Sequence, residues 1–461
     1  MKATPAQDSR PLRRRCRPSL PAAAASLALL VLAAACPAPD GEAPLASGWE
    51  RLYGGSADDA VYSVAAAADG GFAMAGYTAS SGGFVPGERV GEDAWMLKVS
   101  PAGDPEWQTV LGGDGRDIAL SVAPTADGGF VAAGVAWPED GGPAPPQGQG
   151  GAAPDARSRG GPRRGFVARL DSSGAVAWTR FYGGTGFYEL ATAAEAGDGG
   201  FIASGSLLSR DRLCADGAAD AGGPRPVSFD LWILRLDRGG GILWERCLGG
   251  PANEVPIGAL ETPGGGVAAA ASVWVREGAD PAAASGGAWA AALDPGGGEL
   301  WRRSYGGAAG AARAFSFRAV PEGGYVMTGV SGPWAPADPS ARRNALLRLD
   351  PEGRVAWSRR IAGRARLADA LPLPGGGYLA ALLPYPPAPG ERPDDGSLEL
   401  ARLDREGREL WREGYGEITG RPAAAFAVLS GGGFAAAGTA ARPTPTGEAA
   451  DRDAWALRLR R

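Results

Sequence analysis

Histidine is absent from all 461 residues. Its absence excludes Ser-His-Asp and Cys-His catalysis, and with them every imidazole-ligated metal site. Cysteine is scarce, at four residues. The apolar stretch from Leu20 to Ala35 holds 16 residues, short of the roughly 20 that a membrane-spanning helix needs. Helical periodicity is hard to find after it. No glycine-rich stretch ends in the Gly-Lys-Ser/Thr of a phosphate-binding loop. A basic stripe is missing too. Lys2, Arg10, Arg13, Arg14, Arg15 and Arg17 stand against Asp8 alone, so the first 35 residues carry +5. The overall charge of −5 then leaves −10 on the rest. A mildly acidic body argues against nucleic acid as the partner.

Glycine and proline are abundant, at 75 and 39 residues. That proportion, roughly a quarter, approaches compositions typical of disorder. Here the glycines recur at fixed places beside Trp, Phe and Tyr, which marks them as turns between short strands.

The N-terminus reads as an export signal. Arg10 to Arg17 form a basic region, Leu20 to Ala35 an apolar one, and Leu32-Ala33-Ala34-Ala35-Cys36 follows. This resembles the lipobox of bacterial lipoproteins, with Ala33 where that family prefers an aliphatic residue. The resemblance implies lipidation of Cys36, an address in the bacterial cell envelope (periplasmic or surface-exposed), and membrane contact only through the lipid. An ordinary cleaved signal and a retained anchor are the alternatives. The domain division is then a signal over 1–35, a lipidated cysteine and Pro/Ala/Gly-rich tether over 36–48, and one folded body over 49–461.

That body is an array. A strand-like segment begins at Trp49, Trp107, Trp178, Trp244, Trp301, Trp357 and Trp411, at spacings of 58, 71, 66, 57, 56 and 54. Four residues on stands Tyr53, Leu111, Tyr182, Leu248, Tyr305, Ile361 or Tyr415. Positions i and i+4 of a strand share a face. Between them the residue is often basic, as at Arg51, Arg180, Arg246, Arg303 and Arg359, placed to lie over the indole. A glycine exit, a short apolar strand and a Gly-aromatic strand (Phe72, Phe130, Phe201, Tyr325, Tyr378, Phe434) follow. A variable loop and a third, alternating strand come next (Trp95-Leu97-Val99, Trp232-Leu234-Leu236, Trp455-Leu457-Leu459). An Asp-x-x-Gly turn then returns to the next Trp strand. Residues 293–307, LDPGGGELWRRSYGG, show this turn, strand and exit in one stretch.

Four strands per unit and seven units predict an all-β fold, a seven-bladed β-propeller of four-stranded antiparallel blades. The units resemble the bacterial seven-bladed propeller repeat over Trp49 to Arg461, a fold-level signature without shared catalytic residues. Trp49 to Tyr53 has no preceding partner and Ala454 to Arg460 no successor. Their pairing is expected to close the ring and remove its exposed edge.

Candidate sites are few. The loops joining second to third strands crowd one face, where variable connections on a rigid scaffold concentrate function. Cys214 and Cys247 fall on that face and are candidates for a disulfide. It would close about 33 residues and contribute about 3–4 kcal/mol in the chain-entropy account. Asp58, Asp59, Asp114, Asp117, Glu189 and Glu254 follow the crossover glycines and read as turn caps rather than a calcium site. The basic third-strand positions Lys98, Arg169, Arg235, Arg348, Arg402 and Arg458 read as solvated charge pairs with neighbours such as Asp171 and Asp237. The seven Trp residues read as repeat anchors. No metal, cofactor or catalytic residue is assigned, and a monomer is expected. The sequence thus points to a non-catalytic binding or scaffold propeller with an unidentified protein or glycan partner on the loop face. The alternative is a propeller enzyme of hydrolase, lyase or quinoprotein type with carboxylates at the channel. The first strands offer mostly Ser, Ala, Val and Phe (Val64, Val122, Phe315, Phe317), which weighs against it.

Overall fold

A computed structural model of the protein describes residues 43–81, 85, 91–113, 115–137, 163–184, 186–208, 228–250, 252–274, 287–306, 312–331, 343–363, 365–384, 398–415, 423–441 and 451–461. The N-terminal stretch read as a signal, Cys36, Asp114, Cys214 and most of the variable loops lie outside them. The described residues form 28 strands and no helix.

The alternating pattern folds as expected into seven four-stranded antiparallel sheets arranged as the blades of a ring. In the first blade the strands run outward in chain order: β2 (Asp59–Ala66), β3 (Phe72–Thr78), β4 (Asp93–Val99) and β5 (Pro105–Leu111). The last blade is composite. Its strands are β26 (Ala423–Val428), β27 (Phe434–Ala441), β28 (Arg452–Arg460) and, outermost, β1 (Ala46–Tyr53). Trp49 pairs with Arg458 and Tyr53 with Ala454. Trp455 Nε1 donates to Glu50 Oε1 at 2.6 Å. The ring is therefore closed by its two ends, and β1 begins three residues before the expected boundary at Trp49.

The core lies between blades. Side chains alternate along each strand, and at several junctions a bulky face of one blade meets a small face of its neighbour. Phe72, Met74, Trp95, Leu97 and Val99 of the first blade pack on Ala435, Ala437, Ala454 and Ala456 of the last. Phe130, Phe166 and Leu170 of the second blade pack on Ala73, Ala75 and Ala94 of the first. The fourth blade repeats this with Ala268, Ala270, Ala288 and Ala290 turned toward Phe317 and Tyr325 of the fifth. The alanine runs of the sequence are the recessed half of these interfaces, where bulkier residues would overpack.

Two β-bulges recur that the sequence pattern did not announce. One shifts the register of every innermost strand, at Val61/Ser63 in the first blade and Leu367/Asp369 in the sixth. The other lies in the outermost pair, at Lys98/Val99 and its equivalents. A bulge beside a single site would suggest function. Recurrence in all seven blades makes these part of the scaffold.

The basic third-strand residues correct an expectation. Lys98, Arg169, Arg235 and Arg402 are buried, not solvated. They reach the first hairpin turn of their own blade rather than the adjacent acidic residue. Lys98 Nζ meets Asp69 Oδ2 and Glu106 Oε2, each at 2.6 Å. Arg235 meets Asp198 Oδ2 at 2.6 Å, and Arg169 meets Asp127. Where that turn lacks aspartate, the guanidinium turns to backbone: Arg402 Nη2 donates to Gly376 O at 2.9 Å, and Arg348 reaches Gly323 O. The fourth unit lacks the turn aspartate, and Ala292 stands in the basic position. The stem of the basic residue is buried by the blade, and only a partner at the turn can satisfy its head. Asp171, Asp237, Asp294, Asp350 and Asp404 instead accept backbone N–H groups of their own Asp-x-x-Gly turns.

Candidate functional site

The seven Trp anchors are spent on structure. Six of them lie between their own blade and the turn that follows the third strand of the next, an Asp-x-x-Gly turn except for Ser100–Gly103 beside Trp49. Trp49 Nε1 donates to Pro101 O at 3.0 Å, Trp107 Nε1 to Ser172 O at 3.1 Å and Trp244 Nε1 to Pro295 O at 2.8 Å. The tyrosine four residues on does the same: Tyr53 to Gly103 O, Tyr182 to Gly240 O and Tyr305 to Gly353 O, at 2.7–2.8 Å. Burial pushes the hydroxyl pKa of all three well above the usual phenol value. A methyl group on the turn glycine would collide with the indole beside Trp49, Trp107, Trp178, Trp244, Trp301 and Trp357. Trp411 is the exception. Its turn would lie between the end of β28 and the start of β1, and Leu45 packs in the cluster that holds Trp411. The arginine cover over the indole is present at Arg51–Trp49, Arg246–Trp244 and Arg359–Trp357, 5.6–6.0 Å from the ring centroids.

On the opposite, loop-bearing face the acidic residues do more than cap turns. Asp59 does accept from Gly55 N at 2.8 Å, but it also accepts from Thr78 Oγ1 and from Ser80 Oγ. A methyl group on Gly54 would lie 2.4 Å from Asp59 Oδ2 and 2.6 Å from Asp453 Oδ1. The crossover glycine is needed because two carboxyl groups face the space its side chain would fill. The arrangement repeats beneath Gly112, whose methyl would meet Asp93 Oδ1 at 2.0 Å and Asp117 Oδ2 at 3.0 Å. Beneath Gly249, Asp230 occupies that space and hydrogen-bonds Glu254. Burial pushes the Glu254 carboxyl up to about 8, and the neighbouring Asp230 adds to the shift. Burial raises Asp59 as well, with Asp453 contributing. Asp58 stands apart, in an ion pair with Arg452 at 2.9 Å.

Beside these pairs the second and third blades present a cation–aromatic stack. The Arg163 guanidinium lies 4.6 Å from the ring centroids of both Trp137 and Phe187, and Arg116 lies 5.7 Å from Trp137. Phe229 meets Phe187 edge-on at 5.1 Å. Tyr62, at the inner-strand bulge of the first blade, is the one aromatic among the large exposed apolar residues described.

The innermost strands are less neutral than the sequence suggested. At the position after the bulge stand Ser63, Ser121, Thr192, Gly258, Ser316 and Ala425, but Asp369 in the sixth blade. Arg318 of the fifth blade reaches across to it, Nη2 to Oδ2 at 2.6 Å. The Arg318 side chain is 44% exposed and that of Asp369 6%. Attraction to Asp369 holds the guanidinium pKa above its ordinary value, against partial desolvation. The register of Asp369 with Ser316 would have flagged it, had the repeat been aligned through the bulge. Among the described residues no three His, Cys, Asp or Glu side chains converge as a metal site would require. Cys247 is disulfide-bonded; Cys214 lies outside the described residues.

No protein-family model and no curated protein sequence matches the chain. Solved structures resemble it at low identity. A protein of unknown function from Bacteroides caccae is 13% identical, covering 78% of this chain and 94% of that one, with a TM-score of 0.39. The WD40 domain of Neurospora crassa Pan2 is 10% identical over 89% and 96%, TM-score 0.47. An acylaminoacyl peptidase is 11% identical over 86% of this chain and 51% of its own, TM-score 0.44. The propeller assignment rests on the blades themselves.

Proposed function

We propose that the chain is a non-catalytic binding propeller of the bacterial cell envelope, held by a lipid on Cys36, with its protein or glycan partner taken on the loop-bearing face. One observation carries the non-catalytic part. Apart from Asp369, which Arg318 neutralises, and Glu189, the buried carboxyl groups described fall at equivalent positions of three blade junctions, as joints of a scaffold would. An active site needs acid, base and nucleophile gathered at one place. The face is favoured because its connections vary in length and composition while the opposite face is fixed by the Trp and Tyr anchors. The Cys214–Cys247 disulfide belongs to the same proposal, since it would tie one variable loop to the outer strand of its blade.

The test is capture from an envelope fraction with residues 43–461, beside the same protein with 138–162 replaced by a short Gly/Ser linker. A partner held by the first and lost or weakened with the second supports the reading. Turnover of a glycan or quinone-linked substrate with no partner retained would replace it by the enzyme reading, for which the Arg318–Asp369 pair is the observation in favour. Palmitate labelling lost in Cys36→Ser tests the anchor, and intact mass without reduction tests the disulfide.

A further inference from the structure

We propose that three of the seven blade junctions are proton-operated latches, each closed by two carboxyl groups sharing one proton across the crossover glycine. The junctions join the seventh blade to the first (Asp453 with Asp59), the first to the second (Asp93 with Asp117) and the third to the fourth (Asp230 with Glu254).

The positions are equivalent. Asp93 and Asp230 begin a third strand and Asp453 is the second residue of one, each opposite the sixth residue after the aromatic that opens the second strand. Asp59 begins the next innermost strand, Asp117 immediately precedes it and Glu254 is its second residue. Other junctions place Arg164, Gly287 or Arg343 where the first acid stands. At the junctions of the first and third blades, backbone bonds bring the two strands together: Asp117 N donates to Glu92 O at 2.6 Å and Glu254 N to Phe229 O at 2.7 Å.

Two ionised carboxylates a few ångströms apart in a water-poor joint repel each other, whereas a carboxyl and a carboxylate can share one proton, and Asp230 and Glu254 are hydrogen-bonded to each other. Polar and charged groups flank each pair. Asp59 faces Gly55 N, Thr78 and Ser80, with Arg452 already committed to Asp58. Beside Asp117, Arg116 is committed to Glu92. Glu254 accepts from Gly250 N and feels Arg302 more weakly than Asp230. Burial raises Glu254 and Asp59, in accord with a retained proton. Closing a junction therefore takes up a proton from solvent, and opening it releases that proton. The latches lie directly under the crossover turns, so their opening loosens the loop-bearing face one blade boundary at a time.

The experiment is amide hydrogen exchange, corrected for the pH dependence of exchange in the unfolded chain. Peptides covering 54–61, 112–119 and 249–256 are compared with 183–190 and 363–369, from junctions without an acid pair. Within the window between the ordinary carboxyl range and the closed-state value, opening at a paired junction rises about tenfold per pH unit, one proton being released. The unpaired junctions stay flat. Asp230→Asn flattens 249–256 alone. An equal pH response at all five junctions overturns the proposal, as does an unchanged response of 249–256 in Asp230→Asn. Should that variant fail to fold, the infrared spectrum of the unsubstituted protein decides. A protonated-carboxyl band at neutral pH that fades toward alkaline pH supports shared protons, and its absence at neutral pH overturns them.

Discussion

Trp301 closes over Gly353 of the following blade. A methyl group at Gly353 would stand 2.5 Å from the indole Cζ3, and Tyr305 donates its hydroxyl to the Gly353 carbonyl at 2.7 Å. The glycine is thus required twice, by its φ of +74° and by the ring above it. The contact joins consecutive repeats, so the repeat unit of the sequence is not the packing unit of the fold.

The two requirements can be separated by substitution. Gly128 has a φ of +85°, and a methyl group there meets nothing within 4 Å. Gly128→Ala should cost only the left-handed backbone penalty, about 1–2 kcal/mol. Gly353→Ala should cost that plus an overpacking term of about 1–3 kcal/mol. Urea unfolding of the two variants measures the difference. Equal midpoints would mean that the indole yields without cost and is no anchor.

Ring closure gives a second expectation. Without residues 43–55, β28 loses its outer partner, and the Trp455 indole loses Glu50. The protein should melt at lower temperature and associate through the bared strand edge. A synthetic 43–55 peptide added in excess should restore part of the melting temperature, because it binds only the folded ring. A deletion that melts like the intact protein would show that the other blades hold the ring alone.

How far the sequence could be read depends on the range of each interaction. Seven blades, four strands per blade and the closing pair follow from local alternation, turn chemistry and the recurrence of Trp. The Arg51–Trp49 cover was legible because both residues lie on one strand. What escaped depends on the neighbouring repeat or on register. Asp93 and Asp117 face each other only after a crossover. Asp369 enters the serine position only when a bulge is counted. The burial of Arg235 was misread because its nearest acid in sequence, Asp237, is engaged with its own turn, while Asp198 lies a hairpin away. The paired loss of turn aspartate and basic residue in the fourth unit was the available clue.

The Arg318–Asp369 pair should respond asymmetrically to its two truncations. Removing Arg318 strands a carboxylate that is 6% exposed, whereas removing the Asp369 charge leaves a guanidinium that is 44% exposed and can be hydrated. Arg318→Met should therefore be the more damaging, by roughly 1–3 kcal/mol for the unpaired buried group. Asp369→Asn should be milder, and the double variant should recover part of the loss. Denaturant melts of the three proteins form the cycle. Equal costs for the two single variants would place the ion pair effectively in water.

The last expectation concerns pH, and two families of carboxyl groups act in opposite senses. Glu254 is raised by burial and by Asp230 from 4.5 to about 8. A raised carboxyl contributes its stability below the unfolded value, and that contribution disappears as pH climbs through the folded value. Asp198 is lowered from 3.8, first by its hydrogen bond from Arg235, and Asp127 by those from Thr125 and Gly129. Their contribution is present above 3.8 and disappears as pH falls toward their folded values. Both families contribute most fully only at mildly acidic pH. Melting temperature should therefore be higher near pH 5 than near pH 8, and Glu254→Gln should shrink that difference without altering the acid limb. Asp198→Asn should do the reverse, reducing the loss of stability below pH 4 and leaving the alkaline decline intact. If Glu254→Gln left the alkaline decline at its full size, the Asp230–Glu254 pair would not be its source.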